Sequence, residues 1–388
     1  MVNLGILSTA LCLTPERMLP GHRVQLLFGG AEAYTAMLAA IASARQEIVL
    51  ETYIWSSDEN GRRFVDAVCI KAQEGVRVRC VIDGAGSFGF SGADVERMRR
   101  AGVMLSVFHP VGPWRRRWGW QVRDHRKLLV VDGSVAFTGG MNLGDDYAPV
   151  EWHGRGWNDV QARVEGPVIR DLVQLFEIAW HYAEPETGRK KLPPHRPREP
   201  VAIHGSRTLV QLLAVGRFFG RRLIQHHLRH AIGAAHERVW IEAAYFIPNR
   251  TLRTALKRAA RRGIDVRVMV PRHSDVPGLA HASRYSWSTL LRAGVRLFEW
   301  LPGMLHAKTL CIDGVWSTVG SYNLDARSLR YNWEVALEIL DTDVAATLEA
   351  KFTADLQNCE PIDPERWRRR GLWQKLRERF FYFFRLWL

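Results

Sequence analysis

Apolar and polar positions divide this chain into short blocks. Ile48–Ile54 and Val76–Ile82 are β-branched runs of strand length, and Gly61–Gln73 between them carries apolar residues at helical spacing. The order reads strand, helix, strand, helix, hairpin, and then begins again. IVLETYIW from Ile48 returns as VWIEAAYFIP from Val239, with Glu51 and Glu242 in matching places. GVRVRCVID from Gly75 returns as GIDVRVMVP from Gly263, and RRAGVMLSVF from Arg99 as LRAGVRLFEW from Leu291. HRKLLVVDG from His125 returns as HAKTLCIDG from His306. Four matches in one order, offset by 181 to 192 residues, indicate two homologous halves. Strands alternating with helices predict an α/β sandwich with a largely buried sheet in each half.

The pattern also sets expected boundaries: a first domain over 22–183, a Pro-rich basic linker over 184–200, a second domain over 201–363 and a basic amphipathic segment over 364–388. No run of 18 apolar residues occurs, so no bilayer-spanning segment is expected. The N-terminal apolar stretch has no basic residue before it and makes a poor signal peptide. A chain of 388 residues, 47% hydrophobic and 24% charged, is neither disordered nor a disulfide miniature. Five scattered cysteines without CxxC spacing argue against a disulfide framework and a structural zinc site, and no metal is expected. Charge changes the picture: 54 Lys and Arg against 40 Asp and Glu leave +14, alongside 15 Trp. Such a chain calls for an anionic partner, nucleic acid or an acidic membrane surface.

The repeated hairpin carries the candidate chemistry. In each half a His is followed two residues later by Lys, five further on by Asp, and then by Gly. Strand alternation puts His125 and Lys127 on one face, and likewise His306 and Lys308. Asp132-Gly133 and Asp313-Gly314 suit a tight turn, because both residue types tolerate positive φ. The return strands end in GGMN, with Gly140 and Asn142, and GSYN, with Ser321 and Asn323: small residues that allow close backbone approach, then an amide. A turn requires neither His nor Lys, yet two of the chain's eight lysines occupy the same slot. Two imidazoles, two ammonium groups and two amides suit an anionic phosphoryl centre, one neutral His attacking phosphorus and the other delivering a proton. Each His needs an acceptor for its far nitrogen, and Asp159 and Glu334 stand at equivalent positions downstream of the two hairpins.

The doubled HxKxxxxD, with its GGxN/GSxN and acidic followers, resembles the phospholipase D superfamily and, within it, the bacterial cardiolipin synthases of the shorter peripheral kind. VLETYIW, WNDVQARVEGP, YFIP and LPGMLHAKTLCIDGVWSTVGSYNLDARS carry the likeness, which covers about residues 22 to 355. The resemblance implies two phospholipase D-like α/β sandwiches related by a pseudo-twofold, with one active site between them. It implies His125 as nucleophile and His306 as general acid, then base, within a catalytic set His125, Lys127, Asp132, His306, Lys308 and Asp313. Asn142, Asn323, Ser321 and Gly140 would bind phosphate; Asp159 and Glu334 would orient the histidines. No cofactor is required, since the covalent intermediate conserves the phosphodiester energy. The expected partners are anionic phospholipids, phosphatidylglycerol and cardiolipin, at the cytoplasmic face of a bacterial membrane, with no obligatory nucleic acid and no oligomer needed to complete the site. Hydrolysis of phospholipids, or a nuclease of the same superfamily, remains open as the alternative.

The tail bears on that choice. From Arg366 to Leu388 seven Arg and one Lys face a single Glu. Trp373, Leu376, Phe380, Phe383, Phe384 and Trp387 share one helical face, with Arg377 and Arg379 among the charges beside it, which predicts an interfacial membrane helix. Phe381 and Tyr382 fall outside the stripe. PWRRRWGW (113–120) and RFFGRRL (217–223) are further basic-aromatic stretches.

Overall fold

The computed structural model describes residues 18–111, 121–185, 200–216, 220 and 222–385. The basic-aromatic stretch 113–120, most of 217–223, most of the linker and Trp387 lie outside the described residues. Each half forms an eight-stranded mixed sheet. The first contains β1 (Arg23–Phe28), β2 (Glu47–Thr52), β3 (Arg77–Asp83), β4 (Met104–Phe108), β5 (Leu128–Val131), β6 (Val135–Gly139), β7 (Val160–Glu165) and β8 (Glu184–Pro185). The second contains β9 (Leu209–Val215), β10 (Arg238–Ala243), β11 (Asp265–Pro271), β12 (Arg296–Trp300), β13 (Lys308–Ile312), β14 (Trp316–Gly320), β15 (Glu334–Leu340) and β16 (Cys359–Pro361). Their orders, β1-β7-β6-β5-β2-β3-β4-β8 and β9-β15-β14-β13-β10-β11-β12-β16, are the same topology. In each, the three strands separated by helices pair in parallel and the hairpin strands antiparallel.

The two β-branched runs become β2 and β3, and the helix between them spans Glu59–Gln73, two residues earlier than its periodicity suggested. Asp58 explains the earlier start: its carboxylate accepts the Gly61 N–H as an N-cap at 2.8 Å. All residues of β2, β5, β13, β14 and β15 are buried, as in sheets covered on both faces. On the outer face helices cover each sheet separately. On the inner face one apolar core is continuous across the halves, joining Leu128, Val130, Ala162 and Phe176 to Val319, Val335, Leu337 and Phe352. Strand pairing reaches Pro185 in the first half, while Met18 packs into the core of the second and Leu19 bridges Val210.

Asp132 and Asp313 do not reach the histidines; they close the hairpins at the opposite end of β5 and β13. Both adopt φ of 51°, followed by Gly133 at 62° and Gly314 at 66°, a turn that matches the strand twist. Asp132 accepts the backbone N–H groups of Arg45, Gln46 and Glu47 at 2.8 Å, and Asp313 those of His236, Glu237 and Arg238 at 2.8 to 2.9 Å. The expectation that these aspartates are catalytic is therefore corrected: each pins the start of β2 or β10 to the hairpin turn. Asp132→Ala should cost about 2–4 kcal/mol of stability, because three donors lose their acceptor. Activity per folded molecule should stay within a few-fold of wild type, as melting curves run beside turnover assays would establish.

Candidate active site

The halves meet along two short parallel bridges, Asp124 with Trp333 and Asn158 with Leu305. His125 N–H donates to the Trp333 carbonyl at 3.0 Å, and His306 N–H to the Asn158 carbonyl at 2.7 Å. Each histidine is thereby set beside the residue that follows its bridge partner, which is the acid at the head of the other half's strand. His125 Nδ1 lies 3.0 Å from Glu334 Oε2, and His306 Nδ1 2.7 Å from Asp159 Oδ2. The carboxylates are thus exchanged between halves. A carboxylate only accepts, so both Nδ1 atoms are assigned the proton and each Nε2 lone pair is left for chemistry.

The lysines stand over the same space. Lys127 Nζ donates to the His125 carbonyl at 2.6 Å and lies 5.2 Å from the Tyr53 ring centre. Lys308 Nζ donates to the His306 carbonyl and lies 2.8 Å from His306 Nδ1 and 3.1 Å from Nε2. Because Nδ1 donates to Asp159, the lysine's contact with the imidazole is the one at Nε2. Burial pushes Lys127 down to about 7 and Lys308 down to about 8. Burial and the surrounding ammonium charges also lower both histidines, His306 the further. The site's own side chains therefore favour neutral imidazoles beneath two reluctant cations. A bound phosphodiester anion reverses that field, favouring charged lysines and a protonated imidazole.

The two carboxylates differ. Burial raises Glu334, but the His125 imidazole, Lys127 and Ser321 outweigh it and hold the carboxyl below its ordinary value. It also accepts from Ser328 Oγ at 2.7 Å and Asn332 Nδ2 at 3.2 Å. Asp159 has the Val160 N–H at 2.7 Å besides His306, and burial pushes it up to about 6 despite the lysines. His125 thus rests on a firmly ionised acid and His306 on a weakly ionised one.

Of the four expected phosphate binders, three are engaged elsewhere. Ser321 Oγ donates to Glu334 at 2.5 Å while accepting from Val335 N–H, and its own N–H donates to the Val335 carbonyl. Ser321 holds the acid rather than the phosphate. Gly140 donates its N–H to the Val160 carbonyl, and a Cβ there would lie 2.3 Å from Asp159 Oδ1. The small residue makes room for Asp159, not for a ligand. Asn142 accepts from Ile54 N–H at 3.0 Å and donates to Tyr147 Oη at 2.7 Å. Asn323 is the available amide: it is buried, and among the described residues its Oδ1 has no hydrogen-bond partner.

Sequence reasoning passed over the aromatic walls. Tyr53 lies 4.9 Å from the His125 ring, and Tyr147, Trp157 and Tyr245 lie 5.3, 5.6 and 6.2 Å from His306. Tyr53, inside the repeated LETYIW block, was within reach of the repeat comparison; Tyr147 and Trp157 have no aligned aromatic in the second half. Arg126, beside His125, lies 2.6 Å from Glu51 and 2.9 Å from Asp124, whereas the matching Glu242 meets Lys351 at 3.2 Å. Among the described residues no cluster of three or more His, Cys, Asp or Glu is arranged to hold a metal ion.

The tail is docked by the face the apolar stripe leaves over. Helix Leu372–Phe383 lies along helix Pro277–Leu291, where Phe381 and Tyr382 join Tyr245, Ile247 and Leu279 in one cluster. Glu378, 1% exposed, pairs with Arg370 at 2.8 Å. Trp373, Leu376, Phe380, Phe383 and Phe384 remain in solvent, Trp373 at 85% and Phe383 at 75%. Arg377 and Arg379 are exposed beside them. No helix among the described residues is long and apolar enough to cross a membrane.

Two sandwiches contributing one histidine each to a common site, each steadied by the other's carboxylate, define a protein of the phospholipase D class. Comparison with known proteins agrees. Residues 37–151 and 228–356 match the family described as cardiolipin synthase, PLD-like domain. The probable cardiolipin synthase YwiE of Bacillus subtilis is 33% identical over 92% of this chain and 70% of its own length. Cardiolipin synthase A of Pseudomonas syringae is 36% identical over 89% of this chain and 70% of its own. The crystal structure of phosphatidylserine synthase from Haemophilus influenzae shares the fold, with a TM-score of 0.76 at 16% identity over 99% of this chain and all of that one. The chain belongs to the cardiolipin synthase family of phospholipase D-like enzymes.

Proposed function

We propose that this enzyme condenses two phosphatidylglycerols into cardiolipin and glycerol through a phosphatidyl-histidine. The supporting observation is the pair of buried imidazoles, each with Nδ1 on a carboxylate of the opposite half, with Lys308 Nζ 3.1 Å from His306 Nε2 and Lys127 Nζ on the His125 carbonyl. Nε2 of His125 attacks phosphorus, its new positive charge resting on the ionised Glu334. The bond to the glycerol oxygen breaks, and His306 donates the proton that oxygen needs. A headgroup hydroxyl of a second phosphatidylglycerol then loses its proton to His306 and forms the new P–O bond as the P–N bond breaks. Asp159, weakly ionised, leaves His306 a stronger acid than a firmly charged partner would, which suits proton donation. Lys127, Lys308 and the side-chain NH₂ of Asn323 donate to the phosphoryl oxygens. One phosphodiester replaces another, so the chain's own side chains suffice. Purified protein given phosphatidylglycerol vesicles without nucleotide should release one glycerol per cardiolipin; phosphatidic acid as the only lipid product would overturn the reading in favour of hydrolysis.

The same reading places the enzyme peripherally on an anionic leaflet, the cytoplasmic face of a bacterial membrane. Its support is the exposed stripe of Leu372–Phe383, fixed through Phe381 and Tyr382 to the cluster that includes Tyr245 beside His306. Phe88, 76% exposed, adds an apolar tip on the loop that packs against Tyr53 near His125. Tryptophan and phenylalanine side chains enter the interface, and the flanking arginines meet lipid phosphates. Replacing Trp373, Phe380 and Phe383 together by Ala should weaken sedimentation with phosphatidylglycerol vesicles roughly 100-fold. Turnover in detergent micelles should be kept; unchanged sedimentation would refute the membrane assignment of the stripe.

A further inference from the structure

Beside the tail helix the second domain carries a basic groove that the reaction does not use. Helices Leu223–Ala234 and Arg250–Arg261 lie side by side on the outer face of their sheet, and a groove of about 670 Å³ opens between them. Arg229, Arg250, Arg258 and Arg262 line it with Thr251 and Thr254, and none of its lining residues is acidic. The sequence RTLRTALKRAAR explains the groove's character. Leu252, Leu256 and Ala259 are buried on one side, so the cations are gathered on the other. Arg262 is tied to the carbonyls of Gly233 and Ala235, at 2.8 and 2.9 Å, and holds the two helices together. Arg250 and Arg258 are exposed and form no ion pair among the described residues. Packing needs leucines in this helix; it does not need uncompensated arginines four and eight residues apart on the open face. Like charges at that spacing repel and cost a little stability.

We propose that this groove binds the phosphodiester headgroups of anionic lipid in the same leaflet the tail helix engages. The guanidinium groups of Arg229, Arg250 and Arg258, with the two threonine hydroxyls, match phosphate oxygens in charge and donor chemistry. Position favours the bilayer over a soluble anion: Arg253 Nη1 donates to Tyr382 Oη at 3.0 Å, which joins the basic helix to the tail helix. The helix that carries the groove and the helix that carries the stripe are thus in direct contact.

The inference rests on the membrane reading above and narrows it to particular arginines. Its test is vesicle sedimentation of the full chain with phosphatidylglycerol and with phosphatidylcholine. Arg250→Ala/Arg258→Ala is compared with Arg45→Ala/Arg170→Ala, which removes the same charge from exposed positions in the first domain. Affinity for phosphatidylglycerol vesicles should fall roughly 30-fold in the groove variant, about 5-fold per arginine, and less than 3-fold in the control. Both should melt as wild type does, and added inorganic phosphate at millimolar concentration should not displace the wild type from vesicles. Wild type that fails to sediment removes the membrane reading and this inference together. Wild type that sediments, with the groove variant equal to its control, removes the groove alone, as does displacement by inorganic phosphate or single-stranded DNA bound through the groove in place of vesicles.

Discussion

With phosphatidyl-p-nitrophenol as substrate, His306→Ala should release one equivalent of nitrophenolate in a burst and then stall with a phosphatidyl group on His125. The leaving group departs as a stable anion, so the first displacement does not need the proton that His306 supplies. The second does need a base, since the attacking hydroxyl must lose its proton. His125→Ala should show no burst and no adduct. With phosphatidylglycerol, where both steps need proton transfer, each variant should lose roughly 10⁴-fold or more of its turnover. Mass spectrometry of the quenched protein locates the adduct. An adduct on His306 in His125→Ala would exchange the two roles, and the unequal carboxylates would then need another explanation.

Glu334→Gln should be the more damaging of the two carboxylate replacements, in activity and in stability. Glu334 accepts from His125, Ser321, Ser328 and Asn332. An amide turns an NH₂ group toward donors, leaving at least one of them buried without an acceptor. A loss of about 2–4 kcal/mol of stability follows, with turnover down roughly 10³-fold or more from a misheld His125. Asp159→Asn loses one side-chain partner and a charge the fold holds reluctantly, so its melting point at neutral pH should change little. The signs separate the two across pH. The lowered Glu334 contributes stability above the ordinary carboxylate range, lost as pH falls through its folded value. The raised Asp159 favours the folded state when protonated, and that contribution is lost as pH rises through about 6. Turnover per free enzyme should climb as Asp159 ionises near pH 6 and decline as Lys127 and Lys308 lose charge from about 7 to 8. Asp159→Asn should lack the acid limb, as pH profiles of kcat/KM would register.

Much of this was legible in the chain because it is written twice. The duplicated hairpins announced the symmetry, and Asp132-Gly133 and Asp313-Gly314 announced their turns through residue types that tolerate positive φ. Both acids that hold the histidines were recognisable by position. Which acid serves which histidine was not, since the answer lies in bridges between residues 209 and 147 positions apart that no local pattern encodes. Gly140 and Ser321 misled for a related reason. Smallness and a hydroxyl look alike whether they serve a ligand or a neighbouring carboxylate, and only the packed partner, Asp159 or Glu334, decides. The tail helix shows the same limit from the other side. Its apolar stripe was read correctly as a face, but Phe381 and Tyr382, the apparent defects, are what attach it to the protein.

Transfer through an enzyme-bound phosphatidyl group is tested most directly by glycerol exchange. Enzyme, unlabelled phosphatidylglycerol vesicles and labelled glycerol should yield labelled phosphatidylglycerol, because glycerol re-enters the intermediate it left, and His125→Ala should abolish the exchange. Steady formation of cardiolipin with no label entering phosphatidylglycerol, at glycerol concentrations that slow the forward reaction, would contradict the intermediate and with it the account of the site.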